Sequence, residues 1–237
     1  MSATPPPHAS EDASGGAPAP DPGPKPREPL FNGLPGVVLV LGAVMLGVQI
    51  VDSMADGQGG LAHGLIYWAG TLRTGATAEA FPTAPGFGLS PYVLHAFVHF
   101  GWAHLLINLG ALAAFGSVSR APFGPGLQGD LGFLVFFFAC AIGGAVLHQL
   151  THMSEPSMMA GSSTAISGLL AAAGWVRGGR ASMLRLAVPW LLINLVIAAA
   201  GLMFPIPLAW AGHVGGLLVG MAAFPIFVRY LKVRPPL

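Results

Sequence analysis

The sequence predicts an all-α membrane protein of six spanning helices, and three observations lead there. Of its 237 residues 54% are hydrophobic and only 8% charged, against about 25% charged in a soluble domain. Six stretches, about 35–53, 91–116, 131–150, 162–176, 184–203 and 211–230, are apolar enough to enter a hydrocarbon core about 30 Å thick. Nine of the ten basic residues (Lys25, Arg27, Arg120, Arg177, Arg180, Arg185, Arg229, Lys232 and Arg234) fall on one side of those spans, and only Arg73 on the other. Short cytoplasmic loops carry such an excess, which places both termini in the cytoplasm and makes spans two, four and six run from outside to inside. The expected location is a multi-pass protein of a bacterial inner (cytoplasmic) membrane.

Each segment has its own justification. Residues 1–34 are rich in Pro, Ala, Gly and Ser and hold too few large apolar side chains to offset ordering entropy, so they read as a disordered cytoplasmic tail before a membrane domain at 35–237. A cleavable signal ending at Ser53-Met54-Ala55 is the rival reading, but the polar region ahead of the apolar run is too long for one. Residues 54–90 form the longest external connection, with Tyr67, Trp68, Phe81 and Phe87 among Gly and Pro; it reads equally as a solvated loop or as one lying in the membrane surface. The fourth span is too short to cross, so the backbone before it, with Ser157, Gly161 and Ser162, dips into the membrane and must be buried in protein or line a wet cavity. Cys140 stands alone, which excludes an intrachain disulfide. No basic cluster with interleaved aromatics points to nucleic acid.

The chemistry concentrates at one depth. Ser163 precedes Arg177 by 14 residues and His213 precedes Arg229 by 16, so at 1.5 Å per residue they lie roughly 21 and 24 Å from the same boundary. Polar groups so deep are expensive and are functional candidates by default. Gly212, Gly216 and Gly220 recur every four residues around His213, and Ala165, Gly168 and Ala172 follow Ser163; small stripes of this kind let helix backbones approach closely. Neutral His accepts a serine proton near pH 7. Of the nine acids only Asp52, at the outer end of the first span, approaches the right height, so a Ser-His dyad without an acid is expected, with Asp52 the one candidate to orient the ring. His104 and Asn108, four apart on the second span, bracket the height of Ser163 and could donate to an oxyanion, or could simply bond helices together. His95 and His99 lie higher and read as structural. The i, i+4 pairs His95/His99 and His148/His152 leave a metal or haem protein as a rival class.

With His99, His104 and Asn108 in the second span, Gly161-Ser162-Ser163 opening the fourth, and His213-Val214-Gly215-Gly216 with Gly220 in the sixth, the chain resembles the rhomboid family of intramembrane serine proteases. The resemblance implies a rhomboid-like bundle in which Ser163 is the nucleophile, His213 the base, and His104, Asn108 and the Ser163 amide the oxyanion hole, with His99 in support and Gly161, Gly212, Gly216 and Gly220 serving close packing. It implies transmembrane protein substrates cleaved in or near the bilayer, no cofactor and no metal; oligomeric state stays open. An inactive relative that binds transmembrane clients is the alternative, against which stands the presence of both Ser163 and His213. The chain departs from the family pattern in three places. Thr164 stands where Gly is usual and is expected to crowd the substrate or add a hydroxyl near the site. Ser167 replaces an aromatic that packs on the histidine ring, and is itself positioned to bond that ring. The Trp-Arg pair of the first external loop is split into Trp68 and Arg73. Pro189 is expected to loosen the fifth span for lateral access.

Overall fold

The computed structural model describes Met1 and residues 33–55, 60–203 and 208–230. The predicted tail, but for Met1 and residues 33 and 34, lies outside the described residues, as do Lys25, Arg27, Lys232 and Arg234. Five described helices are long and apolar enough to cross a membrane: α1 (Gly36–Met54), α3 (Trp102–Phe123), α4 (Gly126–Thr151), α5 (Ser163–Gly201) and α6 (Trp210–Tyr230). A shorter α2 (Leu61–Gly70) follows α1. Apolar side chains on the outside of the bundle, among them Val40, Val51, Leu106, Ile107 and Val196, are more than half exposed. Lipid is the solvent that such a surface requires.

α5 is a hairpin. Gly178 and Gly179 leave helical geometry, Gly179 with φ 62, a left-handed conformation that glycine adopts without a Cβ penalty. Across this break Trp190 bonds Ser167, Ala171 and Ala187 share one apolar cluster, and a Cβ on Gly174 would press on Met183. Positions advance on one arm as they recede on the other, so residues 163–177 and 180–201 run antiparallel. They correspond to the fourth and fifth predicted spans. The first arm rises only about 22 Å, short of the hydrocarbon thickness as expected.

The second predicted span is corrected. A single turn at Pro91–Leu94 passes into a 3-10 turn at His95–Phe97, and the chain is non-helical until α3 opens at Trp102. Gly101, at φ 96, makes that corner, while His95 and His99 find partners around the start of α5 and stay off a regular helix. The apolar, helix-compatible string 91–101 concealed this, because nothing local forbids a helix there. At its other end α3 continues through a π-helical turn at Leu112–Gly116 to Phe123. Arg120 closes the turn into α4: its side chain bonds Asp130 at 2.7 Å and the carbonyls of Gly124 and Gly126.

The external connection is more ordered than either reading of it. After α2, strand β1 (Leu72–Thr74) pairs antiparallel with β2 (Ser157–Met159), Arg73 opposite Met158. That ribbon satisfies the backbone of the segment that leads to Ser163, as burial requires. Arg73 reaches back to the carbonyls of Tyr67, at 2.6 Å, and Trp68, and lies over the Phe81 ring. Trp68 and Arg73, separated in sequence, therefore meet in space. Phe87 is fully exposed.

α6 is the central element, its residues Ala211–Leu217 wholly buried between α4 and α5. A Cβ on Gly216 or Gly220 would collide with the backbone of Thr164 or Gly168, and one on Gly215 with the backbone of Gly143 and Gly144. One face of α6 thus fits α5 and another fits α4 at backbone contact. The predicted small stripe on α5 is adjusted: Thr164 and Gly168 meet the glycines, whereas Ala165 and Ala172 pack in the main apolar cluster. That cluster continues toward the Arg120 end as interlocked rings of Phe123, Phe136, Phe224 and Phe227.

Candidate active site

The segment from Ser157 to Ser163 brings the first side chain into place. β2 holds one end; at the other, Gly161 (φ 115) turns the chain and donates its N–H to the His95 carbonyl at 2.8 Å. A Cβ on Gly161 would run into the His104 ring. Gly161 is therefore a loop glycine that admits an imidazole, a correction to its expected part in helix packing. Ser162 immediately precedes α5 and is buried, with its N–H and hydroxyl both turned to His99 Nε2 at 3.4 and 3.3 Å and no side-chain bond to the helix. Ser163 is the first residue of α5. Its amide belongs to the first turn, where no intrahelical acceptor exists.

α6 brings the second. His213 Nε2 lies 2.8 Å from Ser163 Oγ, and the glycine seam is what lets the two backbones come close enough. On its other side His213 Nδ1 lies 2.8 Å from Asn194 Oδ1. The Asn194 amide orientation follows from its second bond, Nδ2–H donating to the Trp190 carbonyl at 2.8 Å. An amide oxygen only accepts, so Nδ1 carries the ring proton and Nε2 is left to accept from Ser163.

The expectation that Asp52 orients this ring is overturned. Asp52 is engaged by His63 Nδ1 at 2.7 Å, beside a cavity of about 540 Å³ between the outer end of α1, α2 and the Phe100–Trp102 corner. That cavity includes neither Ser163 nor His213. Asn194 was missed by sequence reasoning, although it is the only Asn, Asp or Glu in the string from Arg185 to Gly201. A lone amide in an apolar span was the available signal.

Three neighbours complete the site. The Phe100 N–H donates to His104 Nδ1 at 3.3 Å, so the His104 proton sits on Nε2, the atom that stands over Gly161 on the Ser163 side. Asn108 is buried and donates to the His104 carbonyl at 2.9 Å, within its own helix. His99 packs edge-on to His104 at 5.1 Å between centroids. Its Nδ1 finds no partner among the described residues.

The two departures near Ser163 resolve differently. Thr164 does not crowd the site: it is 1% exposed, its hydroxyl bonded to His95 Nε2 at 2.9 Å and its methyl packed in the space left by Gly144 and Gly212. Ser167 does not bond the His213 ring as expected. It donates to the Ser163 carbonyl at 2.8 Å and accepts from Trp190 Nε1 at 3.0 Å. The Trp190 indole lies 5.6 Å from the His213 ring at 34°, so the second arm of α5 supplies an aromatic against that ring although residue 167 is Ser.

Of the histidine pairs raised as metal or haem sites, His95 and His99 share no helix, while His148 and His152 stack at 4.4 Å near the end of α4, with His148 Nε2 on Ser157. No group of three or more His, Cys, Asp or Glu side chains is gathered to hold a metal among the described residues. No curated protein matches the chain. The family model for the Rhomboid domain matches residues 86–230, a stretch that takes in Pro91 to Tyr230 and with it every residue of the site above. That match covers more than half of a chain whose apolar helices bring Ser163 and His213 together, and the protein belongs to the rhomboid family.

Proposed function

We propose that this protein is an intramembrane serine endopeptidase that cleaves transmembrane protein substrates in or near their spanning segment, through the pair Ser163 and His213. The observation that carries the reading is the 2.8 Å contact between Ser163 Oγ and His213 Nε2, made between two apolar helices. In the reaction His213 Nε2 takes the Oγ proton as Oγ attacks the substrate carbonyl. The oxyanion is met by the His104 Nε2–H and the Ser163 N–H, with Asn108 completing the set by turning its amide from the His104 carbonyl. His213 then passes its proton to the leaving amine, and a water activated by the same ring frees the acid product and restores the hydroxyl. His99 supports the site through Ser162. Water reaches Ser163 from the external side, and both termini lie in the cytoplasm, as the asymmetry of basic residues argues; a bacterial inner membrane is the membrane we assign to it. No cofactor enters the scheme. A client-binding protein without activity has no use for a proton acceptor on Ser163.

The test is labelling by a fluorophosphonate in liposomes, comparing the intact chain with Ser163→Ala and His213→Ala. Both variants are expected to lose labelling. Full-strength labelling of Ser163→Ala, or transfer of the label to Ser162 or Ser167, overturns the assignment.

A further inference from the structure

We propose that Asn194 is a positioning residue for His213, holding the ring in the Nδ1–H tautomer and turning Nε2 toward Ser163; the inference rests on the reading of the preceding section. Asn194 is 0% exposed on an arm whose neighbours Leu192, Ile193, Leu195 and Val196 are 46–68% exposed to the lipid side. Burying an amide in such a helix is costly unless its bonds are made. Here both are: Nδ2 on the Trp190 carbonyl and Oδ1 on His213 Nδ1. Flipping the amide would set Oδ1 against the Trp190 carbonyl oxygen, two acceptors face to face, so the orientation is determined. The tautomer of His213 follows from it.

The choice of an amide has a physical reason. A carboxylate in this place would be a buried charge facing a neutral ring for most of the cycle, which is expensive at lipid depth. The amide supplies the same acceptor with no net charge. Trp190 completes the device: it packs on the His213 ring, lends its carbonyl to Asn194, and ties its indole N–H to Ser167, which in turn bonds the Ser163 carbonyl. The second arm of α5 thereby links the position of the histidine to that of the serine.

The test uses the full chain in liposomes with ¹⁵N-labelled histidine, the His213 signals being assigned by their loss in His213→Ala. Intact protein is expected to show the Nδ1–H tautomer, and Asn194→Leu a mixture containing Nε2–H. Fluorophosphonate inactivation is expected to fall about 10- to 100-fold in its maximal rate in Asn194→Leu, the range of supporting-residue effects, with half-saturating probe concentration unchanged. Asn194→Gln, which keeps both the amide acceptor and the amide donor, is expected to recover more of that rate than Asn194→Leu retains. An Nε2–H tautomer in the intact protein, or an Asn194→Leu variant that keeps both tautomer and rate, overturns the proposal. If the intact protein is never labelled yet its tautomer depends on Asn194, proteolysis is what fails and the positioning stands.

Discussion

Thr164 illustrates how a single side chain beside Ser163 is decided by its surroundings. Its hydroxyl answers a buried imidazole and its methyl fills a space made by two glycines, so Thr164→Val is expected to leave the site's shape intact and destabilise the fold by about 1–3 kcal/mol, the cost of an unpaired buried group. Thermal unfolding in detergent measures it. Trp190 carries two side-chain contacts whose loss can be separated. Trp190→Phe keeps a ring against His213 and gives up the bond to Ser167; Trp190→Ala gives up both, and its rate with a fluorogenic transmembrane substrate is expected to be the lower of the two. For the proposed oxyanion donors, His104→Ala is expected to reduce kcat about 10²–10³-fold, and Asn108→Ala less, because the Asn108 amide is already committed to the His104 carbonyl. Equal losses for the two would show that substrate turns the Asn108 amide completely toward the site.

At the scale of elements, the approach of α5 to α6 is set by glycine. A side chain at Gly220 meets the backbone of Gly168, which cannot step aside, so Gly220→Val is expected to destabilise by about 1–3 kcal/mol or more through overpacking. Gly110 lies in α3 with nothing within 4 Å of an added Cβ; Gly110→Ala is expected to be neutral or to stabilise by about 0.5–1 kcal/mol through helix propensity. Unfolding of the two variants side by side separates seam from surface. The seam was legible in the sequence because period-four glycines on an apolar helix have few other uses. The unwound stretch 95–101 was not, since its residues are compatible with a helix and only their bonds to Thr164 and Ser162 across the fold draw them out of one.

For the whole molecule, the orientation in the membrane is open to direct measurement. Cys140 is fully buried, so the intact chain is expected to resist a membrane-impermeant maleimide. In a Cys140→Ala background, Phe87→Cys is expected to be modified from outside and Ala181→Cys only after permeabilisation, since Phe87 is fully exposed and Ala181 lies beside the Gly178–Gly179 turn. The reverse pattern would invert the topology argued from the basic residues. The sequence by itself determined the membrane class, the short helix behind Ser163, the glycine seam and the matched heights of Ser163 and His213, because hydropathy, helical rise and residue size act locally and can be counted along a chain. Only the tertiary structure decided what holds His213. Asp52 is taken by His63, and Asn194 and Trp190 arrive from an arm folded back at two glycines. A hydrogen-bond partner is chosen by direction and distance in three dimensions, and no periodicity in one dimension carries that information.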